Sequence, residues 1–165
     1  MSVYHKDQLD KISGKIKDIK FGMFTSTDDS KIMTSRPMTC QQIDGEGNMW
    51  FFVSDEASFG HDLLTNPGVN VSFASPGDSL YLSVFGRAEM LRDHRKAEEL
   101  WNPLLKAWFP GGLADPHLAL IRLRIQSAEY WDASSSKMMQ LFSMARAALT
   151  GERPTGLGEH ATICL

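Results

Sequence analysis

Ser35-Arg36-Pro37-Met38-Thr39 is the stretch of this chain best suited to holding a ligand. A lone strand arginine is ordinarily a surface charge, but Pro37 lacks a backbone donor and confines its segment to a sheet edge or a bulge. The backbone groups of Arg36 and Met38 are then free of the ladder and available to something else. A planar, electron-rich heterocycle needs backbone N–H and C=O at its edge, a guanidinium near its negative oxygen and apolar groups on its faces. Phosphate on the same ligand needs hydroxyls and cations. Ser54, Ser58 and His61 stand around the start of a predicted short helix, whose positive end adds to them.

A second feature is Trp101-Asn102-Pro103-Leu104-Leu105-Lys106-Ala107-Trp108-Phe109-Pro110-Gly111-Gly112, which holds two of the four tryptophans and ends in a turn signal. Aromatic area of that size needs cover, from the chain's own core, a flat ligand or a second subunit. Other chemistry is poorly represented. The chain has no Gly-x-Gly-x-x-Gly, Walker loop, Gly-x-Ser-x-Gly or His-Glu-x-x-His. Its five histidines are scattered, so no metal site is expected, and the acid pairs Asp28-Asp29, Asp55-Glu56 and Glu98-Glu99 read as solvated faces.

These residues are carried on a chain of alternating short strands and single helices. Leu9, Ile12, Ile16 and Ile19 recur at helical spacing and predict an opening amphipathic helix. Met23–Thr27 and Lys31–Cys40, separated by Asp28-Asp29-Ser30, predict a β-hairpin. The Asp44–Asn48 turn leads to Met49–Val53, apolar enough to be buried on both faces. A short helix within Ser54–Asn66 ends at Asn66-Pro67, and Val69–Phe73 alternates as a strand with one wet face. Leu80–Met90 reads as a long strand in which Gly86 marks a bulge or a close backbone approach. Asp93 is placed to cap a helix running from about Arg95 to Ala107. His117–Trp131 returns to strand, Lys137–Leu149 predicts a last helix, and Ala161–Leu165 a short final strand. About six strands at short spacing predict a mainly β (α+β) antiparallel barrel with added helices, over residues 1–150, and a tail, 151–165, that packs on it.

A length of 165 residues suits one domain with a real core, and a net charge of −3 without a basic stripe offers nothing to nucleic acid. Cys40 and Cys164 form no Cys-x-x-Cys pair and read as free thiols of a reducing compartment. With no signal-peptide or membrane-spanning pattern, a cytoplasmic protein without membrane partners is expected.

Six segments occur in a telling order: Ser35-Arg36-Pro37-Met38, Trp50–Ser54, Asn66–Phe73, Val84–Ala88, Leu100–Gly112 and Ala128–Asp132. Together they resemble the general stress protein 26 branch of the pyridoxamine 5'-phosphate oxidase-like, FMN-binding split-barrel family, over nearly the whole chain including Gly158-Glu159-His160. The resemblance implies a six-stranded split barrel, a homodimer, and FMN bound noncovalently in each of two interface clefts. It implies that Arg36, Pro37 and Met38 run along the flavin ring, that Phe52, Val53 and Ser54 line the ribityl and phosphate, and that Ser58 reaches the phosphate. Trp108 and Phe109 would cover the flavin of the other subunit, and Trp131 would close the same cleft. The core alternative puts Trp101 and Trp108 seven apart on one helix face. Family members commonly carry a lysine where this chain has Phe59; His61 is a partial substitute, and weak FMN binding or a preference for FAD stacked on Phe59 follows. Two functions stay open: a flavin-dependent oxidoreductase on an unidentified small substrate, and a non-catalytic flavin-binding or flavin-sequestering stress protein. Haem or a deazaflavin is a remoter occupant. True pyridoxamine 5'-phosphate oxidase activity is not expected, because a second phosphate needs a cationic pocket and Arg87 is the one extra cation near the predicted cleft.

Overall fold

The computed structural model describes residues 3–19, 21–132, 144, 148–151 and 159–164. The opening helix α1 spans Val3–Ile16, and Leu9, Ile12 and Ile16 on its apolar face are buried in the main core. Eight strands follow: β1 (Gly22–Thr27), β2 (Met33–Met38), β3 (Gln42–Ile43), β4 (Asn48–Ser54), β5 (Gly68–Ser75), β6 (Leu80–Leu91), β7 (Leu118–Asp132) and β8 (Glu159–Cys164). Two short helices interrupt them, α2 (Ser58–Asp62) and α3 (His94–Leu100).

All strand pairs are antiparallel, in the order β2-β1-β5-β6-β7-β4-β3, with β8 paired to the second half of β7 beyond the end of β4. Among the described residues the sheet does not close on itself, and β2, β3 and β8 each have one unpaired side. The expected class holds; among the described residues the strands number eight against the six of the expected barrel, β8 being the final strand expected at Ala161–Leu165 and the two-residue β3 an unexpected one. Alternating residues point inward, among them Phe24, Phe51, Val71, Phe73, Val84, Leu123 and Tyr130, and α1 closes one side of that core. Met49, Trp50, Phe51 and Val53 of β4 are all buried because the strand is covered on both faces, inside by the main core and outside by a second cluster of Trp50, Ala97, Phe109, Leu118 and Leu120.

Gly86 satisfies both of its alternatives. The β6–β7 register shifts between Phe85 and Gly86, and a Cβ on Gly86 would collide with the Arg124 carbonyl oxygen. Asp93 caps α3 by accepting from the Lys96 N–H, as expected. The helix ends early, however, at Leu100 instead of Ala107. Asn102 caps a separate 3₁₀ turn, Pro103–Ala107, because Pro103 has no N–H to continue the helix and pushes Asn102 to an extended backbone. Trp101 and Trp108 are thus not on one helix. The predicted helix over 137–149 lies largely outside the described residues.

Candidate functional site

The local sequence explains where Arg36 goes. β2 pairs with β1 so that Arg36 faces Phe24 and Pro37 faces Met23, which turns Arg36 inward and Pro37 outward. Pro37 lies on an edge strand, where its missing N–H costs no ladder bond. Among the described residues no strand pairs the other edge of β2. The Arg36 guanidinium donates to the hydroxyl of buried Ser26 (2.8 Å) and to the carbonyl of Thr34 (3.2 Å), and lies 4.1 Å over the ring of Phe59. Phe59 packs in turn on Phe24, with ring centroids 5.9 Å apart. Burial lowers the arginine's pKa from its ordinary value, opposed by the Asp62 carboxylate. Met38 packs against the main core, and Cys40 just beyond it is buried enough to push its thiol up to about 12, so it is no nucleophile.

The remaining expected residues fall into separate groups. Phe52 is half-buried on the outer face of β4, edge-on to Trp101 and tilted against Phe109. Val53 points into the main core, and the Ser54 hydroxyl accepts from the Glu56 N–H. Ser58 is exposed at the start of α2, which has only five residues, and the His61 ring bonds the Asp55 carbonyl oxygen at 2.9 Å. Phe109 is buried within its own chain, whereas its neighbour Trp108 is exposed. Trp131 stands at the far end of β7, stacked on His160 at 5.1 Å, while His160 bonds Glu129. Arg87 is exposed on β6, three strands from β2 and directly opposite Arg124.

Trp131 and Ser54 are thus held apart. Ser54 pairs with Leu118 at the start of β7, and Trp131 lies 13 residues further along the same strand, roughly 40 Å of strand path. Arg36 and Trp131 also serve opposite faces of the sheet: Arg36 turns inward onto Phe59 and Ser26, whereas Trp131 lines an outer cleft with Met23, Ser72 and Tyr81. One chain does not bring these residues around one ligand.

A cluster the sequence did not single out anchors the loop before α2. Asp55, expected in a solvated acid pair, bonds His117 Nδ1 (3.0 Å) at the start of β7 and also takes the Arg92 guanidinium at the end of β6. The His117 bond and then Arg92 hold the Asp55 carboxyl below its ordinary value, and Asp55, followed by Glu56, raises His117. Only the fold brings these positions together, and no spacing along the chain could have announced them.

The family described as pyridoxamine 5'-phosphate oxidase like matches residues 7–155 of this sequence. The chain belongs to that family. Among solved structures, a candidate general stress protein 26 of Jannaschia sp. CCS1 superposes with a TM-score of 0.75 at 26% identity, covering 96% of this chain and 99% of that one. The general stress FMN/FAD binding protein of Xanthomonas citri is 34% identical, with a TM-score of 0.68, over 79% of this chain and 92% of that one. Protein bli-3 of Neurospora crassa is 28% identical over 159 residues, which is 90% of this chain and 76% of that protein. The curled open sheet is therefore the split barrel of pyridoxamine 5'-phosphate oxidase-like proteins.

Tested against a flavin, the residues fit one half of the cofactor and not the other. A flat ring carrying polar atoms at its edge suits the unpaired side of β2, while Trp108 and Trp131 are exposed aromatic surface elsewhere on the chain. A terminal phosphate is less well served: Arg36 is already stacked and hydrogen-bonded, and α2 is too short to add a substantial dipole. Among the described residues no helix is long and apolar enough to cross a membrane.

Proposed function

We propose that the protein is a cytoplasmic flavin-binding stress protein that works as a homodimer, with FMN, or FAD as the alternative form, in a cleft between two copies. The observation that carries the reading is the open edge of β2 at Ser35–Met38, where backbone groups released by Pro37 can meet the polar rim of a flat ring. The Xanthomonas citri relative, an FMN/FAD binding protein, supports it. Distance supports the dimer: Trp131 lies far along β7 from Ser54 of its own chain, and a second copy can bring its Trp131 and Trp108 to the β2 edge. The outer face of β1, β5, β6 and β7 leaves Met23, Tyr81, Phe85 and Trp131 exposed, a patch suited to such a contact.

When bound, the flavin supplies reversible electron transfer, and the protein's part is to hold the ring, shield it and admit a substrate. Arg36 and the Ser26 and Thr34 oxygens that hold it keep the inner side of β2 rigid, so the backbone edge is presented in one geometry. The activity proposed first is oxidoreduction of a small substrate. A second reading, flavin binding or sequestration without turnover, is favoured by the side chains along and just beyond β2: Arg36 is held in its stack and the Cys40 thiol is buried, so neither exchanges a proton near neutral pH. Titration of the purified protein with FMN and FAD, followed by flavin fluorescence and the visible spectrum, tests the binding; unchanged spectra with both flavins would refute it. Reduction of bound flavin by NADH or NADPH, with turnover to a quinone or dye, separates the enzyme from the binder.

A further inference from the structure

We propose that the site is indifferent to the flavin's terminal phosphate, so that riboflavin binds as tightly as FMN; this rests on the flavin reading above. The ground is the charge inventory around α2, the element next to β2 that carries the hydroxyls of the expected phosphate end. Arg36 is the cation that reaches this element from β2, and its guanidinium lies 4.1 Å over Phe59 while donating to Ser26 and Thr34. A guanidinium laid on an aromatic face and hydrogen-bonded to two residues of its own sheet must lose those contacts to take a phosphate. Asp62, on the same α2, is close enough to act on that guanidinium, and its negative charge works against a dianion there.

Of the cations around α2, Arg87 and Arg124 lie beyond its C-terminal end, in a cleft with Leu63 and Leu64, away from Ser58 at its start. Nearer the start of α2, Arg92 is paired with Asp55 and the His61 ring is turned to the Asp55 carbonyl, while Lys31 donates to Asn66 Oδ1 at 2.6 Å, beyond the far end of the helix. Ser58 remains as an exposed hydroxyl, which bonds a ribityl hydroxyl as readily as a phosphate oxygen. Phe59 is therefore the specificity-determining residue: it holds Arg36 by its ring and puts an apolar face where a phosphate would need a cation.

Fluorescence titration of the full chain with riboflavin and with FMN decides the matter. Dissociation constants within about threefold of each other are expected, and the FMN value should change little between 50 mM and 500 mM salt, since ionic attraction is screened over that range. Phe59→Lys should tighten FMN at least tenfold relative to riboflavin. Phe59→Leu, which keeps an apolar contact with Phe24 but removes the ring under Arg36, should shift the ratio the same way by a smaller factor. FMN bound more than tenfold tighter than riboflavin by the unaltered protein would overturn this proposal and leave the flavin reading standing. Binding of neither flavin would overturn both. A Phe59→Leu protein that folds with an unchanged ratio would show that the Arg36–Phe59 stack does not set the preference, and would also overturn it.

Discussion

Trp108 and Phe109 are adjacent in sequence and opposite in environment, which makes them the sharpest test of how the aromatic run is used. Phe109 is 5% exposed in the cluster over β4 and α3, while Trp108 is 80% exposed. Phe109→Ala removes a buried ring and leaves a cavity beside Phe52, a change that costs about 3–5 kcal/mol. At about 2–4 °C per kcal/mol for a domain of this size, its melting temperature should fall by about 6–20 °C. Trp108→Ala touches little in the single chain and should stay within about 0.5 kcal/mol, or about 2 °C. Its effect belongs to the flavin-loaded dimer. If about 160 Å² of indole surface is covered there, about 25 cal/mol per Å² sets a ceiling of about 4 kcal/mol. Covering half of it corresponds to about 2 kcal/mol, or about 30-fold in affinity. Thermal melts without flavin, flavin titration and sedimentation velocity measure the three quantities. Equal loss of melting temperature in the two variants would refute the placement of Trp108, and a Trp108→Ala protein that dimerises and binds flavin normally would refute its role as cover.

Gly86→Ala must push its Cβ into the Arg124 carbonyl, a backbone atom held by the longest strand pairing in the sheet, so a loss of about 3 kcal/mol or failure to fold is expected. A urea midpoint within experimental error of the parent would show that the bulge relaxes freely. The Asp55–His117 pair has a defined pH window. His117 is raised in the folded state, so its contribution is fully present below the ordinary histidine value and fades as pH rises through the raised one; Asp55 is lowered, so its contribution fades as pH falls through its depressed value. NMR titration of the His117 ring should give a midpoint above the ordinary value, and Asp55→Asn should move it down. No change on that substitution would mean that the pair does not form in solution.

Much of the framework was legible along the chain because it is written in short-range patterns. The period of Leu9, Ile12 and Ile16, the turn at Asp28-Asp29-Ser30, the cap at Asp93 and the glycine of the β6 bulge each act on neighbours a few residues away. Pro103 was legible too, yet the helical periodicity after Asp93 outweighed it on paper and not in the chain, where a missing N–H ends α3 at Leu100. Pro37 placed its strand at an edge correctly, since no neighbour can supply the donor it lacks.

The class of fold, the edge position of β2 and the supply of aromatic and guanidinium groups for a flat ligand thus follow from local pattern along the chain. How those groups are used depends on the folded sheet. Register turns Arg36 inward onto Phe59 and Ser26, burial separates Phe109 from Trp108, and the length of β7 holds Trp131 away from Ser54. Each depends on contacts between residues tens of positions apart, and such contacts exist only once the sheet has curled and set its register.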